Sequence, residues 1–66
     1  MQIIVNGQSR TAPDALSVAG LLEAMALEPR RVAVELNKRL VPRAAHAQTV
    51  LADRDALEIV TLVGGG

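Results

Sequence analysis

The chain of 66 residues contains no cysteine. This absence excludes disulfide bonds, thiolate catalysis, a persulfide on a side chain and any metal site with cysteine ligands. Aromatic residues are also absent, although half of the residues are hydrophobic, so the core must be built from aliphatic side chains and methionine. The length and composition predict one folded domain over residues 1–66 and argue against a disordered chain.

Long hydrophobic runs are missing as well. The uninterrupted apolar stretches are only a few residues long, whereas a membrane span needs about 20. The first residues, MQIIVNG, lack the basic start and apolar stretch of a signal peptide. We therefore expect a soluble, cytoplasmic protein without a membrane partner. The formal net charge is zero, which does not favour attraction to phosphates, so we expect no nucleic-acid partner.

The charges are nevertheless unevenly distributed. Five basic residues lie close together in the middle of the sequence, namely Arg30, Arg31, Lys38, Arg39 and Arg43. Three acidic residues lie near its end, namely Asp53, Asp55 and Glu58. A solvated face is the usual explanation for such a cluster, and a docking surface for an acidic partner is the alternative.

The first part of the chain predicts a hairpin followed by a helix. Residues 2–6 and 8–12 flank Asn6-Gly7, a pair that tolerates positive φ at both positions, so the two segments should form antiparallel strands. Ser17 is a suitable N-cap, and a helical apolar stripe follows at Val18, Leu21, Leu22 and Met25. We expect Gly20 to weaken the first turn and Pro29 to end the helix.

The second part of the chain predicts further strands. Residues 32–36, VAVEL, alternate as a half-buried strand does, and a short apolar piece at 40–41 is ended by Pro42. The Ala-rich stretch over 43–49 predicts either a turn of helix or irregular structure. An acidic turn at 53–55 precedes a last strand, LEIVTLV. This order predicts an α+β fold in which one short helix crosses a small mixed sheet.

Side chains suited to catalysis are few. His46 has no second histidine or cysteine with which to bind a metal, so surface or packing is its expected role. Asp53 and Asp55 are better explained by a turn than by acid–base chemistry. The terminal glycines are not followed by a helix that could help to hold a phosphate. We therefore expect no active site, bound metal or cofactor in this chain.

The last strand has apolar residues on both of its faces. Leu57 and Ile59 should face the core, which directs Val60 and Leu62 to the opposite face. On the first strand, Ile3 and Val5 should face the core, so Ile4 should also point to the opposite face. One helix cannot cover both faces of a small sheet, so these three side chains should form an exposed docking patch.

A resemblance covers nearly the whole chain. The start MQIIVNG, S-V-x-x-L-L in the helix, V-A-V-E-L-N, V-P-R and the end D-x-D-x-L-E-I-V-T-L-V-G-G-G are similar to the sulfur carrier proteins of bacterial thiamine biosynthesis. That family has a ubiquitin-like β-grasp fold with a C-terminal diglycine. The resemblance therefore implies a β-grasp domain with an extended glycine tail over residues 63–66.

The resemblance implies a carrier and not an enzyme. In the family, an E1-like adenylyltransferase uses ATP and magnesium to adenylate the C-terminal carboxylate. A sulfur donor such as a cysteine desulfurase then converts it to a thiocarboxylate, which delivers sulfur to thiazole synthase. On this sequence the reacting group is the carboxylate of Gly66, preceded by Gly65. Partner contacts are expected at Ile4, Val60, Leu62, Val63 and Gly64.

The sequence departs from the family pattern at three positions. His46 stands where relatives often have tryptophan, and Gly64 replaces a common alanine. Arg54 occupies a place in the acidic turn that is usually glycine, which would strain the turn if it requires positive φ.

Three other functions fit parts of the sequence. The small subunit of molybdopterin synthase shares the fold and the thiocarboxylate, but it typically has an aromatic residue and prolines before its diglycine. A ubiquitin-like modifier would join Gly66 to lysines of a target protein. A small binding domain would have terminal glycines without a chemical role.

Overall fold

The computed structural model describes residues 1–62, and the predictions for Val63, Gly64, Gly65 and Gly66 lie outside this part. The elements of this part are β1 Gln2–Val5, β2 Gln8–Thr11, α1 Val18–Ala24, β3 Val32–Leu36, β4 Arg39–Val41 and β5 Ala56–Thr61, with 3-10 turns at Pro29–Arg31 and Arg43–Ala45. The sheet has the order β2-β1-β5-β3-β4, in which β1 and β5 are parallel and the other neighbours are antiparallel. This mixed sheet with one helix confirms the predicted α+β class.

Both hairpins turn through pairs of residues with positive φ. Asn6 and Gly7 have φ values of 51° and 81°, as the Asn-Gly signal predicts. Asn37 and Lys38 adopt the same region, with φ values of 51° and 70°. The Asn6 side chain also pairs with the main chain of Ile59, through Nδ2–O at 3.1 Å and Oδ1–N at 2.7 Å. It therefore ties the first turn to β5 beyond the end of β1.

The start of α1 is capped as predicted. The hydroxyl oxygen of Ser17 accepts a hydrogen bond from the Gly20 N–H at 3.0 Å. The other free N–H groups of the first turn donate to the irregular stretch, Val18 to the Thr49 carbonyl and Ala19 to the His46 carbonyl. A Cβ on Gly20 would lie 2.7 Å from Leu16 Cδ1. Gly20 therefore makes room for Leu16 to pack over the helix start.

The end of α1 differs from the prediction. The helix ends at Ala24, and Ala26 has a φ of 57°. Leu27 N–H donates to the Leu22 carbonyl at 2.9 Å, and Ala26 N–H donates to the Glu23 carbonyl at 3.0 Å, which is the Schellman pattern. The prediction that Pro29 ends the helix was wrong, because the chain has already turned at Ala26 and Pro29 begins a separate 3-10 turn.

Glycine at position 26 is expected to stabilise the protein. The Cβ of alanine makes the left-handed region unfavourable, whereas glycine has no Cβ. Ala26→Gly should therefore raise the free energy of unfolding by about 1 kcal/mol. The matched variant Ala24→Gly, inside the helix, should lower it by roughly 0.5–1 kcal/mol. Urea denaturation of both variants tests this, and equal losses of stability would contradict the cap.

The core lies between α1 and one face of the sheet. Its residues are aliphatic and come from every strand except β2 and β4, from α1 and from the loops; they are Ile3, Val5, Ala12, Val18, Leu21, Leu22, Val32, Val34, Leu51 and Leu57. His46 is buried as well, and its Nε2 donates to the Val41 carbonyl at 3.1 Å. It thus has a packing role, one of the two roles expected from the sequence.

Candidate functional site

The strand β5 carries the chain toward its C-terminus from the middle of the sheet. It pairs with β3 from Leu36↔Leu57 to Val32↔Thr61. The N–H of Leu62 donates to the Arg31 carbonyl at 2.8 Å and extends this ladder by one bond. On its other edge, β5 pairs with β1 only at Ala56 and Leu57. The last described residue is therefore held against β3.

The sheet face opposite α1 carries the predicted docking residues. We call it the outer face. Leu57 and Ile59 point toward the core, as the alternation predicts, while Val60 and Leu62 are exposed. Ile4 is exposed as well. The exposure of these three side chains agrees with expectation, and their contact with a partner stays a prediction.

The three residues do not form one continuous patch. Ile4 pairs with Ala56, at the beginning of β5. Val60 is four residues further along the strand, about 13 Å away at the usual rise per residue, and it pairs with Ala33. Glu58 lies between the two positions on the same face. The outer face therefore has two apolar areas with a carboxylate between them.

Three outer-face residues were not among the sequence-predicted contacts. Leu40 is 66% exposed, and it pairs with Glu35 of β3. Glu35 in turn pairs with Glu58 of β5. The alternation within VAVEL could have predicted that Glu35 points outward. Leu40 is next to the buried Val41, so the same alternation could have predicted that it is exposed. Their adjacency to Glu58 depends on strand register, which no local pattern contains.

A shallow concavity opens on the outer face next to Ile4. Its volume is about 360 Å³, and it lies at the Ile4 end of β5, where the two turns approach the strand. Apolar side chains share its lining with one base and one acid; the lining residues are Ile4, Gly7, Asn37, Lys38, Ala56, Leu57 and Glu58. This depression can accept a side chain of a docked protein.

The basic residues do not form a single surface. Lys38 and Arg39 lie at the β3–β4 turn, at the far end of the hairpin from Arg43. Arg30 and Arg43 flank a second open concavity together with Glu28 and Pro29. Arg31 is paired with Glu28, Nε to Oε2 at 2.9 Å. The fold thus separates the cluster seen in the sequence.

The acidic turn has a structural role. Asp53 accepts a hydrogen bond from the Gln2 N–H at 2.7 Å, and Asp55 accepts one from the Ala52 N–H at 2.8 Å. Asp55 also accepts from the Asn37 amide at 3.0 Å. Arg54 has a φ of 71°, so the turn does require the positive φ that the family pattern implied.

Metal ligands and hydroxyl nucleophiles are the other candidate reactive groups in residues 1–62. No group of three or more His, Cys, Asp or Glu side chains in this range is placed to hold a metal ion. Ser9 and Thr49 donate their hydroxyl protons to Gln2 and to the Ala45 carbonyl. No helix in this range combines the length and the hydropathy that a membrane span needs. The outer face and the end of β5 are thus the candidate site.

Comparison with known proteins decides the family. The model of the ThiS family matches residues 3–66. The chain belongs to the ThiS family. The crystal structure of the thiamine biosynthesis protein (ThiS) from Geobacter metallireducens is similar over the full length of both chains, with a TM-score of 0.87 and 36% identity. This match confirms the ubiquitin-like β-grasp fold that the resemblance implied.

Two curated relatives of this ThiS-family chain differ in length. The sulfur carrier protein ThiS of Bacillus subtilis is 40% identical over 53 residues, which are 80% of each protein. A thiazole synthase of Paramagnetospirillum magneticum is 39% identical over all 66 residues. The chain spans only one fifth, 20%, of that thiazole synthase. A ThiS-like segment therefore also occurs within a much longer protein.

Proposed function

We propose that this chain is a sulfur carrier of thiamine biosynthesis whose chemistry takes place on the carboxylate of Gly66. The observation that carries the proposal is membership of the ThiS family over residues 3–66. The Bacillus subtilis relative is named a sulfur carrier protein. The chain has no cysteine, so a side chain cannot store the sulfur as a persulfide. This absence is consistent with storage of the sulfur on the main-chain terminus.

The carboxylate must be activated before sulfur can be attached. A carboxylate is a poor electrophile because its negative charge is shared by two oxygens. An E1-like adenylyltransferase binds ATP and magnesium. A carboxylate oxygen of Gly66 then attacks the α-phosphorus of ATP with loss of pyrophosphate. A persulfide presented by a donor such as a cysteine desulfurase then attacks the acyl-adenylate and displaces AMP to form an acyl disulfide, and a thiol reductant cleaves its sulfur–sulfur bond. The product is a thiocarboxylate, which donates its sulfur to thiazole synthase.

The position of β5 supports delivery of the terminus into another protein. Leu62 is held by its bond to Arg31, and the four residues that follow can reach roughly 13 Å when extended. Three of them are glycines, which have no side chain to obstruct a narrow entrance. Ile4, Val60 and Leu62 would contact the partner at the outer face, with Val63 and Gly64 at the entrance.

Thiazole synthase is supported as the acceptor of sulfur. The relative from Paramagnetospirillum magneticum bears that name and contains a segment similar to this whole chain. A carrier and an acceptor that meet repeatedly gain effective concentration when one polypeptide contains both. We infer that the domain described here meets a thiazole synthase by docking.

Mass measurement of the intact protein tests the proposal. Incubation with the thiamine-type adenylyltransferase of the same organism, ATP, magnesium and a sulfur donor should add the mass of one oxygen-to-sulfur exchange. A variant that lacks Gly66 should gain nothing, and omission of ATP should abolish the gain. If the chain stays unchanged under conditions that charge the Bacillus subtilis carrier, the proposal is wrong. A ubiquitin-like modifier would instead give adducts with the mass of a second protein.

A further inference from the structure

Asn6 binds β5 through its main chain and its side chain, although β1 has already ended at Val5. Its N–H donates to the Leu57 carbonyl at 2.9 Å. Its Oδ1 accepts from the Ile59 N–H at 2.7 Å, and its Nδ2 donates to the Ile59 carbonyl at 3.1 Å. The side-chain amide therefore takes the place of the main chain that a longer β1 would have offered to Ile59.

The main-chain groups of Ile59 point to the edge of β5 that β1 leaves open. Leu62 N–H donates to the Arg31 carbonyl on the β3 side. Main-chain groups of an antiparallel strand alternate between its two edges, so those of Ile59, three residues earlier, point away from β3. Within residues 1–62, β1 pairs with β5 no further than Leu57, and no other strand lies on this edge. Without the Asn6 amide, both groups of Ile59 would depend on water.

The second half of β5 has little packing to hold it in place. Ile59 is partly buried against the core, whereas residues 60–62 are exposed. A segment with few buried contacts is restrained mainly by its hydrogen bonds, and it opens more readily than the core does. The ladder to β3 restrains one edge of residues 59–62, and the Asn6 amide restrains the other.

The second hairpin turn shows that this arrangement is not a by-product of turn geometry. Asn37 has the same φ as Asn6, 51°, and its Oδ1 accepts from the Ala56 N–H at 3.0 Å. Its Nδ2, however, donates to the Asp55 carboxylate at 3.0 Å. Asn37 therefore does not close a pair of bonds on one residue of β5, although both turns require positive φ.

We propose that Asn6 is a positioning residue, which orders residues 59–62 and thereby fixes Val60 and Leu62 on the outer face before a partner docks. This inference rests on the proposed function, in which those two side chains contact the partner. A strand that is already ordered loses less conformational entropy when it is covered, so the partner binds it more tightly. The adenylyltransferase and the thiazole synthase would meet the same ordered strand.

Hydrogen exchange tests the ordering directly. Asn6→Gly removes the amide but keeps a residue that accepts the positive φ of the turn. Exchange of the Leu62 N–H, whose acceptor on Arg31 is not altered, should become roughly five- to ten-fold faster. Asn6→Asp keeps a favourable Asp-Gly turn but sets a carboxylate oxygen against the Ile59 carbonyl, so it should act in the same direction.

Adenylation kinetics test the consequence for docking, with the full chain as the substrate of the adenylyltransferase of the same organism. Asn6→Gly should raise KM for the chain roughly three- to ten-fold and leave kcat unchanged, because the lost ordering affects binding and not the reaction at Gly66. Ser17→Ala is the control, since it also removes a side-chain bond to the main chain, at the start of α1. It should lower the Tm but change neither KM nor the exchange of Leu62.

The outcomes separate positioning from stability and from the function itself. If Leu62 exchanges at the wild-type rate in Asn6→Gly, or if kcat falls while KM is unchanged, the positioning role is wrong. If Ser17→Ala raises KM as much as Asn6→Gly does, global stability explains the effect and the proposal is again wrong. Failure of the wild-type chain to be adenylated would overturn the carrier function, whereas exchange at Leu62 would still decide whether Asn6 orders β5.

Discussion

Val60→Asp is expected to lower kcat/KM for adenylation of Gly66 by roughly 100-fold, which corresponds to about 3 kcal/mol of lost interaction with the partner. Val60 is 56% exposed, so an aspartate remains hydrated in the free protein. Docking would bury that charge without a cation, beside the Glu35–Glu58 pair, at a cost of several kcal/mol. The expected loss therefore arises in the complex. Leu62→Asp should behave in the same way.

Val50→Asp is the matched control for this experiment. Val50 is 58% exposed, nearly the same as Val60, but its bridge partner is Ser17 at the start of α1. It therefore lies away from the outer face, and its substitution should leave adenylation unchanged. Kinetics with varied carrier concentration and far-UV circular dichroism of all three variants provide the measurement. Equal kinetics for Val60→Asp and wild type would show that Val60 is not part of the docking surface.

Leu57→Ala should unfold a large fraction of the protein. Leu57 is 1% exposed in the core, and removal of a buried leucine side chain costs about 2–5 kcal/mol. A core of this size supplies only about 3–5 kcal/mol of net stability. The substitution should therefore remove most of the free energy of unfolding of the domain.

Leu40→Ala is the control for the core substitution. Leu40 is exposed, so its truncation should change the free energy of unfolding by less than about 0.5 kcal/mol. Urea denaturation should be followed by circular dichroism, because a chain without tryptophan or tyrosine has no useful intrinsic fluorescence. Similar losses for the two leucines would show that Leu57 does not hold the sheet to α1.

Substitutions at Leu57 and at Val60, which lie on the same strand, are thus expected to have different effects. Leu57 contributes to stability, and Val60 is expected to contribute to recognition, because their side chains leave β5 on opposite faces. A change at Leu57 acts on the fold before any partner is present. A change at Val60 acts when the outer face is covered. Measuring stability and adenylation together separates the two effects.

Local patterns predicted much of this structure. The Asn6-Gly7 pair identified the first hairpin, because few residues tolerate positive φ at both central positions. Ser17 identified the helix start, and the alternation in LEIVTLV identified which side chains are exposed. The end of α1 was missed because Ala26 adopts a left-handed conformation that glycine or asparagine usually signals. Packing of Leu27 and its bond to Leu22 outweigh that local preference.

The sequence by itself determined the element order, the composition of the core and membership of the ThiS family, because these depend on short-range periodicity and on residue identity. Only the tertiary structure decided which distant residues are neighbours. It placed Ile4 beside Ala56 and not beside Val60, and it brought Glu35 against Glu58. Register between strands that are far apart in sequence is decided by the packing of the whole core. The distribution of charge on the outer face follows from that register.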